Sequence, residues 1–152
     1  MKFSQLLDKK AIITDLITSN KKGVIDELAA AISTATTASA KDIAKVLMER
    51  EQLGSTGIGG GIAIPHGKLD TVKDIRVGFG LSKKGVEYDS LDNKPVHLFF
   101  VLLTPENSAG GHLKVLSQIS KLLKIDLFKK KLLAADSADT VYDIIIEQDE
   151  DF

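Results

Sequence analysis

Gly61-Ile62-Ala63-Ile64-Pro65-His66-Gly67-Lys68 is the stretch on which the reading of this chain turns. An apolar run passes straight into Pro65, His66 and Gly67, which sets one imidazole at the mouth of a strand, between two residues that fix backbone shape. Histidine can act as nucleophile, base or ligand near neutral pH. Just upstream, Ser55 to Gly61 holds four glycines in seven residues. That density predicts a loop, neither a helix nor a central strand, whose backbone can approach another group closely. Ile62 to Ile64 then reads as a short strand, ended by Pro65.

Outward from this stretch, Val96 to Leu103 is apolar on both faces, the pattern of a strand buried between two layers, and Pro105 stops it. Ile75 to Leu81 predicts another strand, and the β-branched, loosely alternating Ala11 to Leu16 a first one. Ser19 or Asn20 can cap a helix with Val24, Ile25, Leu28, Ala29 and Ile32 on its apolar face. Thr36, Thr37 and Ser39 break that pattern. A second helix turns Ile43, Val46 and Leu47 inward and ends near Gly54. The last third is helical. Leu113, Leu116, Ile119, Leu122 and Leu123 recur at helical spacing after Gly110-Gly111-His112. Asp126 is the expected cap of the next helix, with Leu127, Lys130 and Leu133 following, and Ser137 caps a last one with Val141, Ile144 and Ile145 inward. Helices early and late with most strands between them predict an α+β fold. The expected architecture is a three-layer α/β/α sandwich, a central mixed β-sheet flanked by helices.

The 152 residues suit a single domain, 1–152, and 43% hydrophobic with 27% charged residues is an ordinary soluble composition. A net charge of −1, with acidic residues interleaved among basic ones, argues against a nucleic-acid partner. The chain has no cysteine, which excludes a disulfide framework, thiolate catalysis and cysteine zinc sites and accords with a cytoplasmic location. Met1 to Lys10 lacks a signal-peptide core, and Val96 to Thr104 is too short to span a bilayer, so no stable membrane insertion is expected. Residues 147–152 form an acidic end that should fray into solvent.

The familiar glycine-rich fingerprints fail on the residues. Gly57 and Gly59 begin a G-x-G-x-x-G pattern, but Ile62 occupies the third glycine position. Gly67-Lys68 is followed by Leu69 where a phosphate-binding P-loop needs Ser or Thr. The hydrolase elbow G-x-S-x-G and the metalloprotease H-E-x-x-H are absent. Three histidines remain. His97, among Val96, Leu98 and Phe99, reads as a hydrogen-bonded core histidine. His66 can be a turn histidine or a functional one, and its loop position favours function. His112 follows two glycines at a helix start, where free amides and the helix dipole suit an anion, though it can equally be a plain N-terminal helix residue. Paired with His66 it makes chemical sense: one neutral imidazole attacks a phosphorus while the other donates a hydrogen bond to the phosphoryl oxygens. Arg50, one of two arginines, can supply a planar fork to a phosphate, or simply pair with Glu49 or Glu51. A three-histidine zinc site is the outlying alternative, disfavoured by the strand position of His97 and the lack of a carboxylate to orient the ligands; no metal is expected.

The run from Arg50-Glu51-Gln52-Leu53-Gly54-Ser55-Thr56-Gly57-Ile58-Gly59 through Gly60 to Lys68 resembles the active-site stretch of the enzyme IIA proteins of the fructose–mannitol class. These belong to the bacterial phosphoenolpyruvate-dependent phosphotransferase system. Asp92 to Pro105 and His112-Leu113-Lys114-Val115-Leu116-Ser117 are similar to the same family, and the similarity covers nearly the whole chain. The resemblance implies that His66 is the phosphorylated residue, charged by the histidine-phosphocarrier protein. It implies that His112 contacts the phosphoryl oxygens, that Arg50 is the active-site arginine and that the Thr56 hydroxyl supports the active histidine, with Gly57 and Gly67 shaping the phosphate site. His97 stays structural. No cofactor is implied beyond the transient phosphohistidine. Downstream partners would be an enzyme IIB, for fructose- or mannitol-type uptake, or regulatory target proteins. The motif is most like the nitrogen-regulatory branch, which implies a phosphorylation-dependent regulator.

Overall fold

A computed structural model describes residues 1–152. The chain runs α1 (Phe3–Leu6), β1 (Leu7–Ile13), α2 (Lys21–Ser33), α3 (Ala40–Gln52), β2 (Gly57–Gly59), β3 (Ile62–Ala63), β4 (His66–Leu69), β5 (Arg76–Val86), β6 (Val96–Pro105), α4 (Ala109–Leu122), α5 (Asp126–Ala134) and α6 (Ala138–Glu147). The six-stranded sheet has the order β1-β5-β6-β3-β2, with β4 also on β6. β5 and β6 are antiparallel, while β1 on β5 and both β3 and β4 on β6 are parallel, so the sheet is mixed. One core packs Leu98, Phe100 and Leu102 of β6 against α4, α5 and α6, and a second packs Phe99, Val101 and Leu103 against α2 and α3. The two-sided apolar run thus lies between two helical layers, and the fold is the expected α+β sandwich.

Capping explains the helix starts. The Asn20 side chain accepts from Gly23 N, that of Ser39 from Asp42 N and that of Ser137 from Thr140 N. Asp126 does not cap: it is the first residue of α5 and Ile125 holds the cap position. The apolar spacing of α4 and α5 does not by itself give their buried faces. Leu113 is 66% exposed and Leu127 63% exposed, whereas His112, Val115 and Gln118 of α4 and Phe128 and Leu132 of α5 are buried. In α4 the buried face keeps the expected Ile119 and Leu122 but adds the polar His112 and Gln118, and in α5 it is formed by Phe128 and Leu132.

The glycine-rich stretch is not all loop. Gly57–Gly59 forms the edge strand β2, antiparallel to β3, and Gly59, Gly60 and Gly61 turn the hairpin with φ of +96°, +67° and +79°. These are left-handed conformations that glycine adopts without strain. Pro65 interrupts a strand without ending it. Ile62 faces Leu98 and His66 faces Leu102, so the residue offset to β6 is the same before and after the proline. The first strand, expected over Ala11 to Leu16, starts earlier, at Leu7.

The acidic end is not frayed. Both Asp149 carboxylate oxygens accept from α1 amides, Phe3 N at 2.7 Å and Ser4 N at 3.1 Å, and the Phe3 and Phe152 rings lie 5.2 Å apart. A carboxylate at the start of α1 satisfies amides that the short helix leaves free.

Candidate active site

In the parallel pairing of β4 with β6, facing residues point to the same side of the sheet. His66, opposite Leu102, and Lys68, opposite Thr104, therefore face α4, while Gly67, opposite Leu103, faces α3. A Cβ on Gly67 would stand 2.4 Å from Val46 Cγ1, so glycine here lets α3 lie close against the strand. That approach brings the end of α3, with Arg50, to the edge where His66 emerges.

The His66 ring is fixed at both nitrogens. Nδ1–H donates to the Ile64 carbonyl at 2.7 Å, which leaves the Nε2 lone pair pointing away from the backbone. Arg50 Nε–H donates to that Nε2 at 3.3 Å, and its Nη1 donates to Gly54 O at 2.9 Å. The His66 and His112 rings meet edge to face, centroids 5.3 Å apart. Thr104 Oγ1 lies 2.8 Å from His112 Nδ1. Burial pushes the His66 pKa below its usual value; the Ile64 bond opposes this, the Arg50 charge adds to it, and Glu51 works against it. His112 is driven further, to about 4, by burial first and then by His66 and Lys68. Both shifts favour the neutral rings near pH 7, and the His66 lone pair at Nε2 faces the guanidinium.

Behind the site sits a buried polar network. Glu51, 6% exposed, accepts from Thr56 N at 3.1 Å and from the Thr56 hydroxyl, and pairs with Lys21 Nζ at 3.1 Å. Thr56 Oγ1 is also 3.1 Å from the Tyr88 hydroxyl, and Lys21 lies over the Tyr88 ring. Burial and the Glu51 charge raise the Tyr88 pKa, so its hydroxyl stays protonated. The Thr56 hydroxyl therefore does not touch His66, contrary to expectation, because the Glu51 carboxylate is the stronger acceptor beside it. Its support is indirect: Thr56 O accepts from Ile64 N at 3.1 Å, and Ile64 O holds His66. Thr56 and Ile64 would form one rung of the hairpin ladder, yet only half of that rung is made, since Thr56 N–H goes to Glu51.

Arg50, His66 and His112 converge, and Arg50 pairs with neither Glu49 nor Glu51. Gly57 packs on Ser90, which lies 3.0 Å from the position of its missing Cβ. His97 stands apart from this group, half-buried, with Nδ1 donating to Ser82 O at 2.8 Å. Glu51, Lys21, Tyr88 and Thr104 were missed in the sequence. Of these, Thr104 could have been found: strand alternation puts it on the same face of β6 as Leu98, Phe100 and Leu102.

Residues 5–148 match the family model described as "Phosphoenolpyruvate-dependent sugar phosphotransferase system, EIIA 2". The chain belongs to this enzyme IIA family. Among curated relatives of this enzyme IIA, a nitrogen regulatory protein of Bradyrhizobium diazoefficiens is 37% identical over 95% of both chains. The fructose-specific EIIABC component of Bacillus subtilis is 40% identical over 98% of the chain, which spans only 24% of that longer relative. Among solved structures, the nitrogen regulatory protein IIA-Ntr of Neisseria meningitidis superposes with a TM-score of 0.87 at 35% identity, covering 93% of this chain and 97% of that one. Both branches of the family thus stand among its relatives. No helix of this enzyme IIA is long and apolar enough to cross a membrane.

Proposed function

We propose that this enzyme IIA carries a phosphoryl group on His66 Nε2, received from the histidine-phosphocarrier protein and handed to a downstream partner. The observation that carries the reading is the His66 ring itself: Nδ1–H is held by Ile64 O, and the lone pair is left on Nε2, where only the Arg50 N–H meets it, beside the His112 ring. The Nε2 lone pair attacks the phosphorus of the donor's phosphohistidine. As the new P–N bond forms the old one breaks, and its electron pair returns to the donor ring. Positive charge that develops on His66 is spread toward Ile64 O through the Nδ1–H bond, while Arg50 and His112 meet the phosphoryl oxygens. The transient phosphohistidine needs no metal or further cofactor, and the relay belongs in the cytoplasm, where phosphoenolpyruvate is available.

The nitrogen-regulatory relatives support a phosphorylation-dependent regulator as the role. A second reading, transfer to an enzyme IIB for fructose-type uptake, is favoured by the fructose-specific relative, whose name joins A, B and C components. Incubation with phosphoenolpyruvate and the upstream carriers should add one acid-labile phosphate to the wild type and none to His66→Ala. Labelling of His66→Ala overturns the assignment. Chasing the labelled protein with a fructose-type IIB separates the roles: rapid loss of label indicates the sugar branch, and retained label the regulatory one.

A further inference from the structure

We propose that Thr104 fixes His112 as the Nε2–H tautomer, and so makes it a hydrogen-bond donor toward the phosphoryl group. The inference rests on the reading of His66 as the phosphoryl carrier for its purpose, but its geometry is independent of it. Thr104 is 0% exposed, near the end of β6 and paired with β4, and its hydroxyl has a single hydrogen-bond partner, His112 Nδ1 at 2.8 Å. A hydroxyl carries one proton and two lone pairs, and a neutral imidazole one N–H and one lone pair. Two arrangements are conceivable. If His112 Nδ1–H donates, the Thr104 proton is left inside the sheet with no acceptor, and an orphaned buried donor is strongly disfavoured. If Thr104 O–H donates to the Nδ1 lone pair, every polar atom at the contact is used. The proton of His112 then resides on Nε2, which has no partner within the protein.

The consequence for the site is directional. His66 presents a lone pair at Nε2, because a main-chain carbonyl holds its Nδ1–H. His112 presents a proton at Nε2, because a hydroxyl holds its Nδ1 lone pair. Two chemically identical rings 5.3 Å apart are thereby set to opposite roles, one nucleophile and one donor. The titratable groups that bear on His112 are the His66 ring and Lys68, both on β4; each opposes a second proton on the ring. Thr104 contacts no part of the incoming group and acts as a positioning residue.

Nitrogen-15 NMR of the histidine side chains in the unphosphorylated protein at pH 7 tests this directly. His112 should show a protonated Nε2 and an unprotonated Nδ1. The reverse assignment overturns the proposal whether or not His66 is phosphorylated. Thr104→Val keeps the shape and removes the hydroxyl. It should mix the two His112 tautomers and slow phosphoryl uptake about tenfold, the effect of losing one hydrogen bond, whereas Thr104→Ser should restore both. An unchanged tautomer in Thr104→Val also overturns the proposal. If that variant fails to fold, the wild-type spectrum and Thr104→Ser still decide. A correct tautomer in a protein that takes no phosphate would refute the carrier reading and leave this one standing.

Discussion

The buried imidazole of His112 binds its proton far less readily in the folded chain than in the unfolded one, at about 4 against 6.5. A lowered folded value means that the unfolded state takes the proton first, so the stability linked to this group is complete above pH 6.5 and lost as pH falls toward 4. The contribution is up to about 3 kcal/mol. His112→Gln, which can still accept from Thr104, should therefore lose less stability than the wild type between pH 7 and pH 4.5, as read by urea unfolding; parallel losses would refute the linkage. His66 is shifted in the same direction, so phosphoryl uptake should persist below pH 6.5. At this scale the residues that converge on the candidate site were legible because Pro65-His66-Gly67 and Arg50 are local signals. Glu51 and Thr104 were not, because their roles depend on partners brought in by folding.

At the scale of elements, the contact between β4 and α3 decides whether Arg50 reaches its target. Val46 stands one helical turn before Arg50, and its Cγ1 lies where a Gly67 side chain would be. Gly67→Ala should destabilise the protein by about 1–3 kcal/mol through overpacking and slow phosphoryl uptake by displacing the end of α3. Adding Val46→Ala should recover part of both. A Gly67→Ala protein as stable and active as the wild type would remove this account. The sequence made β6, α2, α3 and α6 readable, since apolar period and caps agree there. It hid β2 and β4. Glycine lowers strand propensity, and proline is ordinarily a stop, yet a neighbouring strand in constant register supplies the pairing that local preference lacks. In α4 the apolar spacing does not by itself give the buried face, which adds the polar His112 and Gln118.

Across the whole molecule, the two chain ends meet on the side of the sheet near β1, whereas the histidine pair lies beside β4 and the opposite edge strand β2. Asp149→Ala should lower stability by about 1 kcal/mol, the usual effect of losing a helix cap, and speed hydrogen exchange at Phe3 and Ser4. Phosphoryl uptake should not change; a slowed rate would show that the two edges are coupled. This closure could not be read from composition, which sees only a charged end and not the amides waiting for it at the other terminus. The half-made rung between Thr56 and Ile64 has the most far-reaching consequence. The Ile64 carbonyl oxygen could accept from both the Thr56 amide and the His66 ring, but Glu51 takes the amide and leaves the ring as its side-chain partner. The orientation of the His66 ring and the strength of the sheet edge thus draw on the same atom, so a redesign that freed the Thr56 amide to complete the ladder would firm the hairpin while making His66 share its carbonyl.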